Sequence, residues 1–178
     1  MMKYDTIVAD PPWQYNSVRT GGSMKSGSAQ KYPTMSLEEI CALPLREISN
    51  KNAVLFLWGT TPLSVTHIPK VIEAWGFTHK TTLYWYKVGR KGLGYHYAGN
   101  VEPCFMCFRG TVKAQRTGIS NVIEEKPTRH SRKPEKFWDI IAPYCSGNKL
   151  EMFCRGKPRE GWDGFGYECE TSIDLSKD

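Results

Sequence analysis

The stretch Tyr4-Asp5-Thr6-Ile7-Val8-Ala9-Asp10-Pro11-Pro12-Trp13 decides how the rest of this chain is read. Residues 4 to 9 are a short, largely apolar run of strand-forming types, the pattern of a buried strand. Asp10 then meets two prolines, which fix φ and carry no N–H, so the strand stops in a rigid corner. That corner presents a carboxylate and a backbone carbonyl, both acceptors, beside the flat ring of Trp13. Acceptors aimed at two protons favour the tetrahedral geometry that an amino group on a nucleobase must approach before it can attack an electrophile. Asp10 and Pro11 are the expected acceptors, Pro12 the stiffener and Trp13 the face for the base. A plain Pro-Pro turn after a strand is the alternative.

Outward from this corner, apolar runs alternate with helix-like segments, which argues for an α/β sheet with helices on both faces and ligands at the carboxyl ends of its strands. Residues 14 to 35, rich in Gly and Ser, read as a mobile segment suited to a lid. Ser36 and Glu39 form a capping box, so a helix starts there and runs toward Pro44. Ala53 to Trp58 reads as a second strand. Thr61-Pro62 opens a helix with Val65, Ile68, Val71, Ile72 and Trp75 at helical spacing, kinked at Pro69 and closed by Gly76. Thr78 to Lys87 and Glu102 to Arg109 are further strands, and residues 110 to 133 read mostly as loop. Pro134, Phe137, Trp138, Ile141 and Tyr144 then mark a helix, and Lys149 to Cys154 a strand. One domain over residues 1 to 170 and a tail over 171 to 178 are expected.

The 24 Lys and Arg against 18 Asp and Glu give a net charge of +6, which suits a polyanionic partner. Lys87, Arg90, Lys91, Lys113 and Arg116 fall in or beside Gly- and Pro-punctuated segments and are expected to line a basic rim that neutralises phosphates. No apolar run approaches the roughly twenty residues of a membrane span and no secretory leader precedes Asp10, so a cytoplasmic location and no membrane partner are expected. Six scattered cysteines show no disulfide framework and read as reduced thiols. Cys104 and Cys107 lie three apart on a predicted strand and point to opposite faces, so no metal site is expected.

Asp10-Pro11-Pro12-Trp13 resembles the signature of the MT-A70-like family of S-adenosylmethionine-dependent adenine-N6 methyltransferases. Tyr32-Pro33-Thr34-Met35-Ser36, Asn100-Val101-Glu102-Pro103-Cys104, His130-Ser131-Arg132-Lys133-Pro134-Glu135, Leu150-Glu151-Met152-Phe153 and Gly161-Trp162-Asp163 look like family blocks in family order. The resemblance implies a single-domain Rossmann-like fold, mostly parallel, with the catalytic half preceding the cofactor half. It implies S-adenosylmethionine contacts at Asp10, at Lys133 on the cofactor's carboxylate, and at Phe153, Arg155 and Lys157 near its ribose. Gly166, Tyr167 and Glu168 stand where the family commonly has Gly-Asn-Glu or Gly-Asn-Gln, so Tyr167 is a departure that would replace an amide by stacking or a hydroxyl contact.

Glu102 matches a family acid at the target-base pocket. Tyr15, Tyr95, His96 and Tyr97 are candidates to stack on bases, and Asn100 to read a base edge. Together these imply adenine-N6 methylation in nucleic acid, DNA before RNA, by a monomer or homodimer. Methylation of another amino or amide group, and a non-catalytic nucleic-acid-binding subunit, are the rivals.

Overall fold

A computed structural model describes residues 2–14, 33–90, 92, 96–115, 117–128 and 132–175. Tyr15, Lys91, Tyr95 and Arg116, with nearly all of the segment read as a lid, lie outside the described residues. The strands are β1 (Tyr4–Ala9), β2 (Ser49–Trp58), β3 (Thr78–Lys87), β4 (Val101–Arg109), β5 (Val122–Glu125), β6 (Lys149–Met152) and β7 (Asp163–Phe165). They form one sheet in the order β5-β3-β4-β2-β1-β6-β7. Every neighbouring pair is parallel except those of β4, which runs antiparallel to both β2 and β3. The sheet is therefore mostly parallel, as the sequence implied.

Strand alternation divides the core into two layers. Ile7, Ala9, Leu55 and Leu57 pack on one face against Ile40 of α1 (Leu37–Cys41), Leu45 and Ile48 of α2 (Leu45–Ile48), and Ile68 and Val71 of α3 (Ile68–Ala74). Val8, Phe56, Trp58, Leu83 and Trp85 pack on the other against Phe137 and Ile141 of α4 (Lys136–Ile141). Cys104 joins the α4 layer and Cys107 the opposite one, so the strand separates the two thiols. Among the described residues no helix is long and apolar enough to cross a membrane.

The capping box is present: Ser36 Oγ accepts from Glu39 N–H at 3.2 Å, and the Glu39 carboxylate accepts from Ser36 N–H at 2.7 Å. The expected long helix from Thr61 is instead a 3-10 turn over Thr61–Leu63 followed by α3, and Val65 between them is exposed. Pro69 sits in the first turn of α3 and starts that helix without kinking it, because the N–H it lacks has no intrahelical acceptor there. The segment read as loop contains β5, which pairs with β3 from Tyr84↔Val122 to Lys87↔Glu125. Only Ile123 of its four residues is buried, so period alone does not mark it. The segment set apart as a tail docks on the sheet edge: Ile173 N–H donates to Gly164 C=O at 2.8 Å, and Leu175 is buried in the core.

Candidate active site

The reversed direction of β4 builds the site. The carboxyl ends of β1, β2, β3 and β6 share one edge of the sheet, and the amino end of β4 arrives there between β2 and β3. Alternation puts Asp10 on the face of Val8, Trp58 on that of Phe56, and Lys87 on that of Trp85, all toward α4. Glu102 is registered opposite Trp85, and Glu151 opposite Val8, so both carboxylates stand on that face as well. Lys133 enters from the loop before α4.

Its ammonium lies 3.0 Å from Asp10 Oδ1, 3.2 Å from Glu102 Oε2, and 5.0 Å from the centroid of the Trp58 ring. The other Glu102 oxygen, Oε1, is paired with Lys87 Nζ. Burial pushes the Glu102 carboxyl up, but Lys133 and Lys87 outweigh it and hold it below the usual carboxylate range. Burial likewise pulls the Lys133 ammonium down, yet Asp10 and Glu102 leave it above an ordinary lysine. Lys133 therefore stays charged across the physiological range. Asp10 Oδ2 has no partner among the described residues.

This row borders a cavity of about 850 Å³. Of the residues expected to hold a cofactor, Asp10, Lys133, Phe153, Arg155, Lys157 and Glu168 line it, and Gly166 and Tyr167 do not. Arg155 Nε lies 3.3 Å from Glu168 Oε2. Phe153 is the one non-glycine residue with positive φ among those described, at 62°, directly after β6. Strained backbone of this kind costs roughly 1–3 kcal/mol and gathers at functional sites. Gly166 supports it from behind: a Cβ there would lie 2.8 Å from Cys154 C=O and 3.0 Å from Phe153 C.

Several expectations need correction. Trp13 is not a platform facing the cavity. It is 6% exposed in the layer opposite α4, with its indole N–H donating to Trp58 C=O at 3.2 Å, because the Pro-Pro corner carries the chain across the sheet edge. Tyr167 is 90% exposed and gives the cavity neither a ring nor a hydroxyl. Lys87 is no free rim cation, since Glu102 holds it. Asn100 pins its own loop, its side-chain carbonyl accepting from Gly92 N–H at 2.9 Å. Lys113 follows the reversed β4 to the far edge of the sheet, where Thr111 N–H bonds Asn52 Oδ1 at 2.9 Å. Arg90 stays exposed at the site edge, and His96 and Tyr97 are exposed in the loop that precedes β4. The amino terminus of α4, next to Lys133 in the chain, is filled by Glu125, which accepts from Glu135 N–H at 2.8 Å and Lys136 N–H at 3.0 Å.

Other residues join the site unannounced. Trp58 lines the cavity under Lys133, and its own indole N–H is the one buried side-chain donor without a partner among the described residues. Glu151 also lines it, and burial raises its carboxyl above the usual range. An acid inside the apolar Leu150-Glu151-Met152-Phe153 run is a signal the sequence does carry. Arg159 stacks 4.5 Å from the Trp138 ring and pairs with Glu135, a contact between distant segments that no local pattern announces.

An α/β sheet whose carboxyl edge carries a half-buried acid-lysine row beside a cavity of cofactor size is the arrangement in which such sheets bind nucleotides or cofactors. The MT-A70 family model matches residues 4–168, and the chain belongs to that methyltransferase family. It is 28% identical over 188 residues to the type II methyltransferase M.MunI of Mycoplasma sp, covering 93% of this chain and 78% of that protein. An N(6)-adenosine-methyltransferase MT-A70-like protein of Arabidopsis thaliana is 23% identical over 93% of the chain and 24% of its own length. The N6-adenosine-methyltransferase non-catalytic subunit MTB of the same plant is 27% identical over 65% of the chain and 15% of its length. The chain thus spans most of the bacterial relative and a quarter or less of the plant ones.

Proposed function

We propose that this protein transfers a methyl group from S-adenosylmethionine to the N6 amino group of adenine in nucleic acid, with DNA preferred over RNA. The observation that carries the reading is the state of Asp10: Lys133 holds Oδ1 at 3.0 Å and Oδ2 has no partner among the described residues. A carboxylate fixed by one oxygen keeps the other for a proton of the incoming amine. The Pro11 carbonyl accepts from Trp13 N–H at 2.8 Å and retains a second lone pair for the other proton.

The cavity residues fit the cofactor. Its volume of about 850 Å³ lies within the usual range for cofactor sites. Lys133, Arg155 and Lys157 suit a carboxylate, Glu151 and Glu168 suit an ammonium and ribose hydroxyls, and Phe153 and Trp138 supply apolar walls. Bound there, S-adenosylmethionine supplies an electrophilic methyl group. This chain's residues orient the nucleophile: Asp10 and Pro11 accept hydrogen bonds from its N–H groups, Lys133 holds Asp10 in place, and the stiff corner prevents drift. Most of the acceleration then comes from positioning. The target adenine leaves the stack or arrives single-stranded, since a paired N6 cannot reach a carboxylate at the sheet edge. The preference for DNA is supported by the far greater coverage of the Mycoplasma relative, a type II methyltransferase, than of the N6-adenosine-methyltransferase relatives.

The test is incubation with S-adenosylmethionine and oligonucleotides in which adenine is the only base with an amino group, as DNA and as RNA, followed by nucleoside mass analysis. N6-methyladenine, more from DNA than from RNA, is the expected product. Tight oligonucleotide binding with no methyl incorporated would make the chain a non-catalytic subunit, and methylation of an amide would replace the substrate.

A further inference from the structure

We infer that Lys87 is a positioning residue: through Glu102 it holds Lys133 in the place from which Lys133 fixes Asp10. The inference rests on the methyltransferase reading above. Lys87 and Glu102 meet because β3 and β4 are antiparallel. Trp85 is registered opposite Glu102, and Lys87 N–H donates to Asn100 C=O at 2.8 Å, so Lys87 and Glu102 are diagonal neighbours on one face. Lys87 ends with its ammonium on Glu102 Oε1 and 4.8 Å from the Trp85 ring. Its side chain is 12% exposed, too enclosed to meet a phosphate at the surface, and it does not line the cavity.

What remains for it is the row Lys87, Glu102, Lys133 and Asp10. Cation alternates with anion along it, the total charge is zero, and the four side chains come from β3, β4, the loop before α4 and the end of β1. Lys133 is shared between two carboxylates, so its position depends on how each is held. Lys87 occupies Glu102 Oε1, leaving only Oε2 for Lys133. With Lys87 gone, Glu102 is free to turn both oxygens on Lys133, the ammonium follows it, and Asp10 loses the contact that selects which oxygen faces the amine. A misplacement of about 1 Å at such a site lowers a rate by roughly a hundredfold.

The test compares Lys87→Met, which keeps the length of the side chain without its charge, with Lys87→Arg. Single-turnover methyl transfer should fall about 10- to 100-fold in Lys87→Met and recover largely in Lys87→Arg. Affinities for oligonucleotide and for S-adenosylhomocysteine should stay within about threefold, and the salt dependence of binding should be unchanged. Carboxyl ¹³C titration, assigned with Glu102→Gln, gives a readout that needs no turnover. Glu102 faces Lys87 and Lys133, with Asp10 beyond Lys133 and Cys104 beside it on β4, and its midpoint should rise in Lys87→Met as one cation is lost. Wild-type turnover in Lys87→Met, or an unmoved Glu102 midpoint, overturns the inference. A retained rate with a log–log salt slope reduced by roughly 0.7–0.9 overturns it in favour of a phosphate contact. If the wild type yields no N6-methyladenine while the Glu102 midpoint still moves, the functional reading has failed, and the catalytic role of Lys87 falls with it although its contact stands.

Discussion

Asp10→Asn is the most informative single change, because the structure dictates how the amide must sit. Lys133 lies 3.0 Å from Oδ1 and is charged, so an Asn at this position turns its carbonyl oxygen toward Lys133. The NH2 then occupies the place of Oδ2. Where the amine needs an acceptor it meets a donor, and the near-isosteric replacement becomes an obstacle. Removing one hydrogen-bonding group of this kind costs roughly 2.7–4 kcal/mol in the transition state, a fall of about 100- to 1,000-fold in the chemical step. Half of the ionic contact to Lys133 is lost as well, but Glu102 remains at 3.2 Å and Asp10 is partly exposed, so the stability cost is only about 1 kcal/mol. Single-turnover transfer from isotopically labelled S-adenosylmethionine measures the first effect, thermal unfolding the second, and calorimetry with S-adenosylhomocysteine checks that the cofactor still binds. Turnover within threefold of wild type would refute the assignment of Oδ2 as the acceptor.

The remaining predictions concern packing, charge and place. Trp13→Phe deletes the bond to Trp58 C=O and part of a buried ring, so stability should fall by about 2 kcal/mol, or roughly 4–8 °C in Tm, with turnover reduced far less than in Asp10→Asn. Glu102 is held below the usual carboxylate range, so its contribution to stability is present above the ordinary Glu pKa of about 4.3 and is lost as the pH falls through the folded value. Glu102→Gln should therefore lower Tm at pH 7, and the difference from wild type should shrink in acid. Arg90→Ala should reduce the log–log salt slope of oligonucleotide binding by roughly 0.7 for single strands or 0.9 for duplex, while Lys113→Ala at the opposite edge should leave it unchanged.

The sequence by itself determined the elements whose signals are local. A buried strand ending in Asp10-Pro11-Pro12-Trp13, the capping box at Ser36, and the two-residue alternation that separates Cys104 from Cys107 follow from steric and hydrogen-bonding rules acting within a few residues. Arg155, Lys157 and Glu168 came instead from the family resemblance, and their meeting on one cavity is a tertiary outcome. Only the tertiary structure decided the rest, because each remaining feature depends on which strand lies beside which. The four residues of β5 become a strand through pairing with β3. The reversal of β4 brings Glu102 to the site and carries Lys113 away from it, an outcome fixed by sheet order. Trp13 looks like a base platform in the linear motif, yet the corner that precedes it drives the ring into the opposite core layer. Lys87 reads as a surface cation until Glu102 is seen on the neighbouring strand. Charges separated by 15, 31 and 123 positions in the chain are coupled by direct contact, and local pattern carries no information on contacts at that range.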